Sequence, residues 1–192
     1  MSAIASVFIA TSADGFIARP DGSLDWLYAH GPSGDTGYDA FIANIDAIVM
    51  GRATFDVVRG FDGPWPYGDL RVVVWTRTPE HVDTSDLPHV EASALPPAEL
   101  MQYVSERGAN RVYVDGGATV RAFMSTGLLD QLIVTQVPVL LGTGIPLWGE
   151  VGGDIGLTHV RTEVIGGSVQ TTWKVSGRPM LASAVALSGA EG

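Results

Sequence analysis

Apolar residues along this chain cluster in short runs rich in Val, Ile and aromatic side chains, each closed by Gly, Pro, Asp or Arg. Runs apolar on both faces suit strands covered from both sides. Ala3–Thr11, Ala47–Met50, Arg71–Trp75 and Arg111–Val114 read as such strands, with a weaker one near His89–Glu91. A long strand is expected over Gln131–Leu141, bent at Pro138, and two more over Leu157–Val164 and Ser168–Val175, flanking a Gly166-Gly167 hairpin turn. Elsewhere the spacing turns helical. Tyr38, Phe41, Ile42 and Ile45 predict a helix after Pro32–Asp35 running to about Asn44, and shorter patterns predict helices over Ala53–Arg59, Pro96–Arg107 and Ala118–Ser125. Ser12–Asp25 and Gly142–Asp154 read as structured loops. Strands alternating with helices, then a terminal hairpin, predict an α/β fold with a mixed sheet covered on both faces. Residues 1–175 read as a single domain and 176–192 as a C-terminal tail outside the pattern.

Composition narrows the function classes. The 192 residues are 46% hydrophobic and 17% charged, which excludes a disordered chain and supports one sizeable core. A net charge of −10 opposes binding to nucleic acid or to anionic membranes. Cysteine is absent, which removes disulfides, thiolate catalysis and cysteine-ligated metals. The four histidines show no ligand spacing, so no metal site is expected. Charged residues interrupt every candidate membrane span and the N-terminus lacks a basic signal region, so a cytoplasmic location is expected.

Candidate chemistry lies at three strand-to-loop junctions: Val49-Met50-Gly51-Arg52-Ala53-Thr54, Val74-Trp75-Thr76-Arg77-Thr78 and Val114-Asp115-Gly116-Gly117-Ala118-Thr119. Each puts glycine, hydroxyl or arginine at the C-terminal end of a strand, the edge where open α/β sheets bind ligands. Two of them open helices, whose free N–H groups attract phosphate. Together they favour a dinucleotide, and the arginines favour one with a 2′-phosphate. No G-x-G-x-x-G fingerprint is present.

Ser12-Ala13-Asp14-Gly15-Phe16-Ile17-Ala18, Asp25-Trp26-Leu27 and Met50-Gly51-Arg52-Ala53-Thr54-Phe55 resemble the dihydrofolate-reductase superfamily. Val112-Tyr113-Val114-Asp115-Gly116-Gly117, Gly127-Leu128-Leu129-Asp130 and the segment Pro138–Leu147 resemble, more narrowly, the reductase half of bacterial bifunctional riboflavin-biosynthesis enzymes, the RibD C-terminal domain type. The motifs run in the same order from Ala3 to Val175. The resemblance implies a central, mostly parallel sheet of about eight strands, a homodimer, and an NADPH site. Onto that site it carries Gly51, Arg52 and Thr54 near the phosphates, Thr76 and Arg77 after the third strand, Gly116, Gly117, Ala118 and Thr119 at the pyrophosphate, and Ile17 and Ala18 against the nicotinamide.

Substrate residues are implied more loosely. Counting back without gaps from Met-Gly-Arg puts Asp35 at the superfamily's substrate-facing carboxylate, with Asp39 one helical turn later on the same face. Either is a candidate for the catalytic carboxylate, although Asp35 also suits a helix cap. Trp26 is a candidate border of the substrate cleft, and Gly144 either approaches the nicotinamide or turns the strand. Two departures stand out: Asp39 and Ala40 stand where a folate enzyme carries an aromatic ring, and no basic cluster marks a ribose-phosphate site. The expected activity is hydride transfer from NADPH to a C=N or carbonyl carbon of a small heterocyclic substrate, as in 5-amino-6-(5-phosphoribosylamino)uracil reductases. Dihydrofolate reduction and a non-catalytic NADPH-binding module are the alternatives.

Overall fold

The computed structural model describes the backbone of residues 3–180 and the side chains of 3–177. Residues 181–192, most of the expected tail, lie outside the described residues. The strands are β1 (Ile4–Ser12), β2 (Phe16–Ala18), β3 (Ala47–Gly51), β4 (Arg71–Trp75), β5 (Val90–Ser93), β6 (Arg111–Asp115), β7 (Gln131–Val137), β8 (Ile145–Pro146), β9 (Asp154–Ile165) and β10 (Ser168–Met180). The helices are α1 (Asp25–His30), α2 (Tyr38–Ile42), α3 (Arg52–Arg59), α4 (Pro97–Glu106) and α5 (Gly117–Ser125).

Eight strands form one sheet in the order β5-β4-β3-β6-β1-β7-β10-β9. The first six are parallel to their neighbours, while β10 pairs antiparallel with both β7 and β9. This is the expected mostly parallel α/β sheet with a C-terminal antiparallel hairpin. Several boundaries shift. The long strand ends at Val137 rather than bending through Pro138, since proline has no N–H for a ladder. The loops expected at 12–25 and 142–154 contain β2 and β8, which pair as a small second sheet, and α1 forms where no helix was expected. The last strand runs five residues past its expected end, to Met180.

Val72, Val73 and Val74 are fully buried because β4 is covered on both faces. On one face Ala47, Val49, Val73, Val112 and Val114 pack with the Leu100 and Val104 of α4 and the Val120 and Phe123 of α5. On the other, Ile48, Met50, Val72, Val74 and Tyr113 pack with Phe55 of α3 and with Phe8, Tyr38 and Phe41. The alternation of neighbouring residues between the two clusters follows from the two-residue period of a strand. Because β6 is inserted between β1 and β3, the chain leaves these central strands in opposite directions, and their C-terminal ends border the crevice. Among the described residues, no helix is long and apolar enough to cross a membrane.

Candidate active site

A cavity of about 850 Å³ opens at the C-terminal ends of β1, β3, β4 and β6. All three glycine or arginine junctions reach it: Gly51, Arg52 and Thr54 after β3, Thr76 and Arg77 after β4, and Gly116, Gly117, Ala118 and Thr119 after β6. Ile17 and Ala18 of β2 line it as well. The parallel register explains the convergence, since Gly51 is opposite Trp75 and Met50 opposite Asp115.

Gly116 fixes how closely the junctions approach. Its φ of +88° is one that side-chain-bearing residues seldom adopt, and a Cβ there would collide with Thr54 Oγ1. Gly116 caps α5, whose first N–H groups lie at the cavity wall. One turn in, Thr119 is buried and its hydroxyl has no hydrogen-bond partner among the described residues. A buried orphan hydroxyl is destabilising unless a ligand completes it. The orphan, the helix N-termini and the two arginines fit a phosphate-bearing group. Arg52 is partly committed, with Nε 2.8 Å from Asp56 and Nη1 donating to the His81 carbonyl at 2.9 Å. Arg77 is exposed and takes part in no hydrogen bond or ion pair among the described residues.

Toward the opposite face of the sheet the lining becomes aromatic and apolar, with Phe8, Leu24, Leu27, Tyr38, Phe61 and Tyr67. The Phe8 and Tyr38 rings meet edge to face at 5.4 Å, and Phe41 bridges Phe8 to Tyr113 from behind. Tyr113 donates its hydroxyl to the Phe8 carbonyl at 2.9 Å. Asp115 sits two residues further along the same strand, on the same face, and lines the cavity. Its Oδ1 accepts the Gly116 N–H at 2.8 Å. Part of Asp115 stays open to the cavity, yet the surrounding protein strips enough water to raise its pKa to about 6, against the lowering pull of the Gly116 N–H. Burial pushes Tyr38 up to about 12 and Tyr67 and Tyr113 upward too, with the Asp115 charge adding to each. All three phenols therefore stay neutral donors.

Asp35 and Asp39 are not at this cavity; both are exposed. The helix begins only at Tyr38, so Asp35 lies ahead of it, where its carboxylate accepts the Gly37 N–H at 2.7 Å, and the shared helical face does not exist. Asp39 points to solvent while its neighbour Tyr38 takes the cavity side. Trp26 is also displaced. The cavity side belongs to Leu24, which caps α1, and to Leu27 within it, whereas Trp26 is buried and its Nε1 has no partner among the described residues. Gly144 does not line the cavity; it packs on β2 so closely that a Cβ would strike the Ala18 carbonyl, and the adjacent Ile145 is the lining residue. The sequence signal for Asp115 is its two-residue offset from Tyr113 at the end of a strand whose middle three residues are buried.

The RibD C-terminal domain family matches residues 5–171. A Bacillus subtilis protein, YwjB, itself uncharacterised, is 36% identical over 165 residues, spanning 85% of this chain and 93% of its own. The Mycobacterium tuberculosis riboflavin biosynthesis protein RibD is 31% identical over 154 residues, 74% of this chain and 44% of its own. A solved structure from Shewanella sp. PV-4, named for riboflavin biosynthesis, superposes with a TM-score of 0.85 at 35% identity, covering 92% of this chain and all of that one. The chain thus belongs to the RibD C-terminal domain family, with its dihydrofolate-reductase-like α/β sheet.

Proposed function

We propose that the protein is an NADPH-dependent reductase that delivers hydride to a C=N or carbonyl carbon of a small heterocyclic substrate. The observation that carries this reading is the meeting, in one cavity, of three phosphate-suited junctions and one half-buried carboxyl group, Asp115. Residues Gly51, Arg52, Thr54, Arg77 and Gly116–Thr119 would hold the dinucleotide, Arg77 being the uncommitted cation for a 2′-phosphate. Ile17 and Ala18 would press on the ring end. A bound nicotinamide supplies the hydride.

The chain's own contribution is position, exclusion of water and a proton. Hydride brings the electron pair of a new C–H bond to the carbon of a C=N group, the π pair of that group moves to nitrogen, and the nitrogen must take up a proton. Asp115, with a pKa near 6, keeps a useful fraction protonated near neutral pH and lies at the cavity wall. It replaces Asp35 and Asp39 as the candidate proton donor. The family's homodimer is part of the same proposal: β9, at the sheet edge, exposes Leu157, Val160 and Val164, an apolar strip suited to a second copy. Light scattering should give twice the mass of one chain, and a monomer would remove that element.

The first test of the reading is titration with NADPH and with NADH, followed by nicotinamide emission. Micromolar binding with NADPH preferred at least about tenfold is expected from a charge-assisted contact to the 2′-phosphate. Failure of both to bind would falsify the reductase reading.

A further inference from the structure

Among the described residues, the aromatic half of the cavity has no positive charge in its wall. Phe8, Leu27, Tyr38, Val57, Phe61 and Tyr67 build it, and Asp115 supplies its carboxyl group. The described cations that line the cavity are Arg52, Arg77 and Arg121. Arg52 and Arg77 stand at the β3 and β4 junctions, and Arg121 on α5 is held by the carbonyls of Pro146 and Leu147. Two more arginines flank the aromatic wall in sequence, and both are drawn away into ion pairs. Arg19, ahead of α1, places Nε 2.6 Å and Nη2 3.0 Å from the Asp25 carboxylate. Arg59, next to the cavity-lining Val58, is paired with Asp86 at 2.9 Å.

A phosphate seated here would lose water against apolar rings, gain no counter-ion and face Asp115, within a chain already carrying −10. We infer that the substrate carries no phosphate or carboxylate. It is an uncharged, flat nitrogen heterocycle whose N–H or ring-nitrogen edge meets Asp115 and whose body fills the aromatic half. This rests on the reductase reading for its division of the cavity between cofactor and substrate. It departs from the phosphoribosylated substrate that the resemblance implied. A neutral carboxyl can donate to a ring nitrogen and an ionised one can accept from an amino group, so Asp115 serves such an edge in either state.

The test compares 5-amino-6-(ribosylamino)uracil with its 5′-phosphate, each titrated at low ionic strength into the full chain, with and without NADPH. The unphosphorylated compound should bind at least about tenfold tighter, since an uncompensated like charge disfavours the other. In Phe61→Arg, a change at a position 44% exposed, the phosphorylated compound should gain and the gap should shrink at least threefold, roughly what one screened surface charge contributes. Equal or tighter binding of the phosphate by the unaltered chain overturns the inference, and so does binding of neither compound. A chain that binds no NADPH but still prefers the unphosphorylated compound leaves the inference standing and removes the reductase reading alone.

Discussion

The two halves of the cavity are built from different materials. At the junction side much of the working surface is backbone, with N–H groups at the starts of α3 and α5 and glycines that allow close approach, joined by the Thr119 hydroxyl and the Arg52 and Arg77 side chains. At the aromatic side they are side chains contributed by separate elements, with Phe8 from β1, Tyr38 from α2, Tyr67 from the segment after α3 and Asp115 from β6. A backbone-built site tolerates many side chains but few shape changes. A side-chain-built site has the opposite sensitivity. Under the proposed function the first half would hold the cofactor and the second would choose the substrate, a contrast that experiment can break.

The largest effect should come from Asp115→Asn. Loss of the proton donor should lower turnover by roughly 10²–10⁴-fold while NADPH affinity stays within a few-fold. Single-turnover and binding measurements on the same sample separate the two, and a variant with unchanged turnover would remove Asp115 from the chemistry. The same substitution also changes stability with pH. Folding raises the Asp115 pKa from 3.8 to about 6, so the folded chain binds more protons than the unfolded chain between those values. This group then costs stability as pH rises through that window, up to about 3 kcal/mol, and the cost is fully present above it. Asp115→Asn should gain on the unaltered chain in urea midpoint over that interval and hold its gain at higher pH. Parallel curves would mean a well-solvated carboxylate.

Gly116→Ala attacks the other half. The positive φ and the clash with Thr54 should cost about 1–3 kcal/mol of stability and weaken NADPH more than any aromatic-wall variant does. If Thr54→Ala, which removes the clashing Oγ1, restores no stability to Gly116→Ala, backbone strain outweighs the clash. Next in size, Arg77→Ala should weaken NADPH by about 1.5–3 kcal/mol with little change for NADH, as expected for loss of a charged hydrogen bond. Arg52→Ala should discriminate less, because Asp56 and the His81 carbonyl already hold that side chain. Equal losses for both nucleotides would place neither arginine at the 2′-phosphate.

The smallest effect is also the sharpest in sign. Thr119→Val removes a buried hydroxyl that has no partner in the described structure, so it should stabilise the free chain by about 1 kcal/mol and weaken the cofactor by a similar amount. Thermal shifts with and without NADPH should cross. A variant destabilised in both states would show that the hydroxyl has a structural partner.

The junction half was legible in the amino-acid order because its parts are contiguous. Gly-Arg-Ala-Thr and Asp-Gly-Gly-Ala-Thr each follow a strand recognisable from its apolar run, and strand ends are where such loops act. The substrate half was misread wherever a helical phase mattered. Extending the helical phase back to Asp35, when the helix starts at Tyr38, put two carboxylates on a common face. No helix is expected after the 12–25 loop, so the phase of α1, which leaves its cap Leu24 and Leu27 at the cavity and buries Trp26, was not foreseen.

Local order thus carried the strands, the glycine turns and the family, because each depends on a few adjacent residues and a short repeat period. It also carried the acidic charge and the absence of cysteine, which are sums over the chain. The placement of Asp115 among three tyrosines, its raised pKa, the orphan state of Thr119 and the pairing of Arg19 and Arg59 away from the cavity all depend on folding. Each requires residues far apart in sequence to exclude water together or to compete for one another's charges, and desolvation and ion pairing are properties of that assembled neighbourhood.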